Sequence, residues 1–377
     1  MRHTAPQRER VARGLRMRLV GEGADAHVAT GNLHLKKRRL EEAIGEFREA
    51  LRLEPGLAAA HLGLGHAHLR QRDATRAEEC FRAALAANPE MAAARLGLGL
   101  VSLQGRDLDT ALEEWEEATR LDPEAPALHS GLGTAYLVQR RYADAARSFE
   151  RSLELDPESG AVRLRLARAR HALGEEDAAI ASYRAAAARN PQLALPRLRA
   201  GEILLRRERW EEAREEFRAA VAARPRAVVA QVRLGDACRA LGRWAEAEAA
   251  YREALRLRPR GPLLHARLGD LQLERGEIHE AVAALRRAVE LGGRMADLHR
   301  RLGRALAAAG DDEAALGAFA RALDLNPRLA AAHSDRGDLH AARGRTRAAV
   351  ADYRKALELG PGLESAEAGL AALGLRK

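Results

Sequence analysis

Histidines in this chain come in pairs seven residues apart, His27/His34, His61/His68 and His333/His340. On a helix that spacing separates two imidazoles by about 10 Å, too far to share one metal ion. Cys80 and Cys238 stand in no metal-ligand spacing. Two thiols build no disulfide framework and suit a reducing compartment, so a cytoplasmic location is expected. The pairs Gly63-x-Gly65, Gly97-x-Gly99 and Gly131-x-Gly133 look like phosphate loops, yet each lacks the third glycine and recurs at a fixed interval inside a helical pattern. That is the behaviour of packing glycines. Neither His-Glu-x-x-His nor Gly-x-Ser-x-Gly occurs. The chemistry-bearing residues thus predict no enzyme, no cofactor and no metal.

The charged side chains remain, and composition frames them. Of 377 residues 47% are apolar, 31% charged and 3% aromatic, with 63 Lys+Arg against 54 Asp+Glu. This excludes a disordered tail, a collagen and a bilayer-spanning chain. Lysine is confined to Lys36, Lys37, Lys355 and Lys377. An arginine-for-lysine bias of that size reads as a GC-rich, bacterial genome before it reads as a ligand preference, so the basic balance does not by itself imply nucleic acid.

The elements that position these residues follow from an internal repeat. Prolines recur every 34 residues at Pro55, Pro89, Pro123, Pro157, Pro191, Pro225 and Pro259, then at Pro327 and Pro361, with Gly293 in the skipped place. Ten units therefore run in phase from Ala24 to Leu363. Position eight of the unit is glycine in every repeat except the fifth, which has Ala167, and position twenty is alanine from Ala43 to Ala349. Position twenty-four carries a large side chain: Phe47, Phe81, Trp115, Phe149, Tyr183, Phe217, Tyr251, Leu285, Phe319 and Tyr353. Positions four, seven, eight and eleven share one face of a first helix, where a glycine lets a second helix approach closely. Proline at position thirty-two ends the second helix and sets the turn into the next unit. Each unit is a helix hairpin that cannot bury its apolar face alone, so stacking must do it.

These residues resemble the tetratricopeptide repeat family over about nine tenths of the chain. The resemblance implies an all-α fold, a right-handed superhelical solenoid of antiparallel hairpins, and a scaffold or adaptor that binds protein in its concave groove. The domain boundaries expected are a basic arm or cap at 1–23, ten repeats at 24–363 and a capping helix at 364–377. Several positions depart from the family. Its tryptophan place, position four, holds His, Arg or Gln throughout, and Gly292-Gly293 replaces the stiff turn after repeat eight. The chaperone-type carboxylate clamp is not reproduced: Asn32 fits one place, but Val28, Gly63, Ala93 and Gly97 occupy others.

The face opposite the packing stripe, which in this family lines the groove, carries the candidate site. Position six reads Gly63, Gly97 and Gly131, then Arg165, Arg199, Arg233, Arg267 and Arg301. With Arg168, Arg206, Arg239, Arg300 and Arg304 this makes a basic half; Leu62, Leu69, Leu96, Leu100, Leu103 and Leu137 make an apolar half. Glu202, Asp236 and Asp270 follow Arg199, Arg233 and Arg267 by one turn and can neutralise them, whereas Arg165/Arg168 and Arg300/Arg301/Arg304 have no acid at the next turn. Those end clusters predict an acidic partner segment or C-terminal carboxylate. All thirteen aromatics are assigned to the core, the hairpin turn or the packing face, leaving none in the groove, and nucleic-acid binding becomes a minor reading. Two alternatives stand beside the groove. Glu113, Glu114, Glu116 and Glu117 on the outer face could dock the chain as a recognition subunit of an enzyme or envelope assembly, and opposite charge blocks could associate copies head to tail.

Overall fold

The computed structural model describes residues 23–375, so the basic arm expected at 1–23 lies almost wholly outside the described residues. Among these the chain is all-α, without strands. It divides into two compact units, Met1–Asn190 and Pro191–Lys377. The first unit holds α1 (23–36), α2 (Leu40–Leu53), α3 (Ala58–Gln71), α4 (Ala74–Ala87), α5 (Ala92–Gln104), α6 (Leu108–Leu121), α7 (Pro126–Val138), α8 (Tyr142–Leu155), α9 (Gly160–Ala172) and α10 (Glu176–Arg189). The second holds α11 (Ala194–Arg206), α12 (Trp210–Ala223), α13 (Val228–Ala240), α14 (Trp244–Leu257), α15 (Pro262–Glu274), α16 (Ile278–Leu291), α17 (Ala296–Ala308), α18 (Asp312–Leu325), α19 (Ala330–Ala342), α20 (Thr346–Leu359) and α21 (Glu364–Ala372). Within each unit the odd and even helices pair as hairpins, and hairpins stack into a solenoid.

The large residue at position twenty-four is buried in all ten repeats, and so is the alanine at position twenty. Why glycine stands at position eight is a matter of distance. A Cβ on Gly65 would lie 2.5 Å from the Phe81 ring, and one on Gly99 only 2.2 Å from the Trp115 indole nitrogen. The Trp115 Nε1–H donates to the Leu96 carbonyl at 3.0 Å, so this buried ring leaves no unsatisfied donor. The knob ring also presses on the next repeat: Cβ atoms on Gly63 and Gly97 would meet Phe47 and Phe81 at 2.4 and 2.5 Å. Position six in repeats two and three is therefore packing surface. This corrects the placement of Gly63 and Gly97 on the face opposite the packing stripe, and explains their absent side chains.

Each first helix ends on a residue in left-handed conformation at position fifteen, and the next amide donates back to the carbonyl five residues earlier, as Asp73 N–H does to His68 at 3.0 Å. The turn after repeat eight lacks its proline but keeps the hydrogen bond found at turns such as Leu57 N–H to Glu54, here from Met295 N–H to the Gly292 carbonyl at 2.8 Å. Leu285, the one non-aromatic knob, is fully buried with Leu298 and Ala288. At the C-terminal end, α21 lays Ala366 and Leu370 on the Tyr353 cluster.

The close approach is testable with a matched pair. Gly99→Val should cost about 2–3 kcal/mol in urea unfolding because the Trp115 indole must move. Gly45→Ala, in a helix with nothing within 4 Å of the new methyl, should gain up to ~1 kcal/mol. Equal effects from the two would show that the ring does not depend on the missing Cβ.

Candidate inner-face binding site

The arginine ladder at position six is a chain of inter-repeat ion pairs. Arg199 pairs with Glu202 at 2.8 Å, and Arg233 lies 3.6 Å from Glu202 and 3.4 Å from Asp236. Arg267 reaches back to Asp236 of the preceding repeat at 2.5 Å. Arg301 reaches back to Asp270 in the same way and also holds Asp297 at 2.6 Å, while Arg300 bonds Asp297 and Asp335, both at 2.8 Å. The carboxylate at position nine of one repeat thus bonds the guanidinium at position six of the next. The expectation that Arg300 and Arg301 lack counter-charges is overturned, because their acids come from the turn before and from neighbouring repeats. Arg165 donates to the Ser130 hydroxyl at 3.0 Å, and Arg239 grips Glu274 with two bonds of 2.8 and 2.9 Å. Arg206 is exposed at the end of α11. Arg168 and Arg304 are exposed and, among the described residues, make no side-chain hydrogen bond or ion pair.

Three recesses line up on this face of the second unit. One of about 420 Å³ is walled by Trp210, Asp236, Arg239, Arg267 and Glu274. The next, about 400 Å³, shares Arg239 and Arg267 and adds Leu263, Asp270, Arg301 and Arg304. A third, about 290 Å³, shares Arg304 and adds Asp335, Asp338, Leu339 and Ala342. Trp210, in the wall of the first recess, and Phe319, in that of the third, correct the aromatic inventory, since no aromatic is expected there. Burial raises the Asp270 carboxyl above the ordinary carboxylate range against the pull of Arg301, Arg239 and Arg304. Tyr251 and Tyr353, core rings in position, send their hydroxyls out to Asp236 and Asp338 at 2.8 Å each. Burial first, then the adjacent carboxylate, pushes both phenols far above their ordinary value.

The sequence reading passed over one exposed apolar row on this face. Position two of repeats six, seven and eight holds Leu195, Val229 and Leu263, which stand 48%, 57% and 50% exposed. Following position two from repeat to repeat, in the way that position six reveals the arginines, finds them. The leucines predicted for the first unit are less open: Leu62 and Leu69 rest half-buried on the Phe81 cluster, Leu96, Leu100 and Leu103 on the Trp115 cluster, and Leu137 on the Phe149 cluster. Of the outer-face acids, Glu114 binds Arg95 at 3.0 Å, Glu116 accepts from the Tyr136 hydroxyl at 3.2 Å, and Glu117 pairs with Arg120.

The histidines at position four have structural partners. At position four, His61, His129, His265 and His299 donate Nε2–H to the carbonyl six residues earlier, at 3.1, 2.8, 3.0 and 3.0 Å, tying each hairpin to the preceding turn. A base at position four also meets an acid at position twenty-three where one exists: His27–Glu46, Arg95–Glu114, Arg197–Glu216 and His333–Asp352. His66 packs edge-on against Phe81, and burial, aided by Arg70, lowers its basicity. His340 is lowered chiefly by burial, which outweighs the pull of Asp352.

These bonds are open to two measurements. Asp236→Asn removes the negative charge shared by Arg233 and Arg267 and turns one acceptor oxygen into a donor facing them, and should cost about 2 kcal/mol of stability. A thermal melt within error of wild type would show that the zipper contributes nothing to the fold. The two lowered histidines bind protons more weakly folded than unfolded, so their contribution is fully present above the unfolded value near 6.5 and is lost as pH falls through it. Melting temperature should drop between pH 7.5 and 5, and His66→Gln/His340→Gln should flatten that drop.

Patterns described as Tetratricopeptide repeat match residues 62–126, 130–194, 198–262, 267–329 and 313–364, and further repeat patterns match 31–71 and 239–293. No curated protein sequence matches the chain. Among solved structures, Pseudomonas aeruginosa pilF is 25% identical over 56% of this chain and 96% of its own, with a TM-score of 0.50. TTC0263, a thermophilic TPR protein of Thermus thermophilus, is 23% identical over 48% of this chain and 99% of its own, with a TM-score of 0.42. The Cut9–Hcn1 structure matches 94% of this chain and 97% of its own at 13% identity and a TM-score of 0.47.

Proposed function

The chain belongs to the tetratricopeptide repeat family, and on that premise we propose that it is a protein-interaction scaffold whose second unit holds an extended partner segment on its inner face. The observation that carries this reading is the exposed apolar row Leu195, Val229 and Leu263, set beside a charged row that is already neutralised. Side chains left in water at the same position of three successive repeats are a cost unless something covers them. Neighbouring packed helices lie about 8–10 Å apart, and an extended or polyproline II segment covers that distance in roughly three residues. The partner therefore presents an apolar side chain at every third position. Its acidic character is needed only where a guanidinium stands unpaired, at Arg304 between two of the recesses.

Docking through the outer face is less favoured, because Glu114, Glu116 and Glu117 already have partners within the chain. No helix among the described residues is long and apolar enough to cross a membrane.

Peptides selected from a displayed random library on the full chain test this. Their affinity should fall at least tenfold for Leu195→Asp/Val229→Asp/Leu263→Asp and severalfold for Arg304→Glu, and stay unchanged for Glu113→Lys. Selected peptides that lose affinity only for the outer-face variant would overturn the inner-face site.

A further inference from the structure

The hairpin turns of the first unit hold a second row of charge that plays no part in the inner face. In repeats five, seven, eight, nine and ten, position fifteen is Gly174, Gly242, Gly276, Gly310 or Gly344, each with positive φ. In repeats one to four the same place is Arg38, Arg72, Arg106 and Arg140, with φ of 60°, 64°, 65° and 61°. A side chain in this left-handed conformation crowds its Cβ against the backbone, a strain that glycine avoids. The chain uses the unstrained residue five times for the same turn and an acid, Glu208 with φ of 58°, once in repeat six, so the four consecutive arginines are held at the expense of stability.

Nothing inside the unit uses them. All four are exposed and, among the described residues, none makes a side-chain hydrogen bond or ion pair. Apart from the exposed Glu42, the acids along the same edge are engaged elsewhere. Asp73 and Asp107 cap α4 and α6 by accepting from Arg76 N–H and Thr110 N–H. Glu41 accepts from Gln71, Asp109 from Gln139, and Asp144 holds Arg141. Lys36, Lys37 and Arg39 add charge at the repeat-one end. There Arg38, Lys36, Arg70 and Leu40 border a recess of about 500 Å³ with no acid among the described residues that line it.

We propose that this turn edge docks an acidic polypeptide segment, one carboxylate to each of Arg38, Arg72, Arg106 and Arg140. A guanidinium fork suits a carboxylate geometrically, and a repeat spacing of about 10 Å is met by every third residue of an extended chain. A single-stranded nucleic acid would need rings to stack on, and Tyr136, at the repeat-four end, is already covered by the Arg141 guanidinium 4.4 Å from its centroid. A lipid surface would need apolar side chains to insert, and Val138 is the one large exposed apolar residue at these four turns. The site does not depend on the inner-face reading.

The test exploits the strain. In Arg38→Gly/Arg72→Gly/Arg106→Gly/Arg140→Gly each new residue is the one the turn prefers, so the variant should melt at the wild-type temperature or above it. A labelled peptide of four Glu-Pro-Pro units, with carboxylates about 9 Å apart, should bind the full wild-type chain at low salt. It should bind the variant at least tenfold more weakly, and outcompete a peptide of the same composition with its glutamates together at one end. Unchanged affinity in the variant, no preference for the spaced peptide, or tighter binding of oligothymidylate or of phosphatidylserine vesicles would overturn the proposal. A lower melting temperature in the variant would overturn it too, by showing that the arginines serve the fold.

Discussion

The fold depends on a ring pressed against a backbone that has no Cβ. In repeats one to four an aromatic ring at position twenty-four lies against the glycine at position eight of its own hairpin, at distances that any side chain there would reduce below contact. In repeats one and two the same ring lies against the next hairpin's glycine as well, so intra-repeat and inter-repeat packing are one interaction. Interiors packed at this density tolerate little change of volume. The requirement that two helices meet across a single ring accounts for the invariance of the 34-residue unit from Ala24 to Leu363.

Polar contacts are laid over that core in an equally periodic way. Histidine at position four, where the family has tryptophan, replaces apolar bulk with a directed bond to the preceding turn. The alternation of guanidinium and carboxylate from Arg233 through Asp236 to Arg267 joins neighbouring first helices along their position-six face. Each such pair is worth little where exposed and more where half-buried, as at Asp236 with its side chain 13% exposed. With the charges of this face already matched, its open features are the apolar row Leu195, Val229 and Leu263 and the few unpaired groups such as Arg304.

The repeat, its helices and its core were legible because packing constrains side-chain size at fixed positions, and size is written directly in residue type. The candidate site was legible only in part. Position six located the arginines correctly, but a guanidinium has enough reach to choose an acid on the neighbouring hairpin. Arg267 thus takes Asp236, 31 residues back, rather than an ion pair with Asp270. Local spacing along one helix cannot anticipate that choice. Trp210 lies at the hairpin turn, as its position in the repeat implies, yet the turn itself forms the wall of a recess. Leu195, Val229 and Leu263 were readable in principle, since they occupy one position of three consecutive units.

The bonds that join hairpins have a consequence for how the chain reaches this structure. They span distances such as 31 residues for Arg267–Asp236 and 35 for Arg300–Asp335, and the helices that touch are near neighbours in sequence. No distant segments need to find one another, so the loop-closure entropy to be met at each step is small and does not grow with the length of the array. Folding can begin at any well-packed pair of hairpins and spread in both directions, and unfolding can proceed by fraying from either end. Relative contact order falls as repeats are added, and lengthening the array need not slow its assembly.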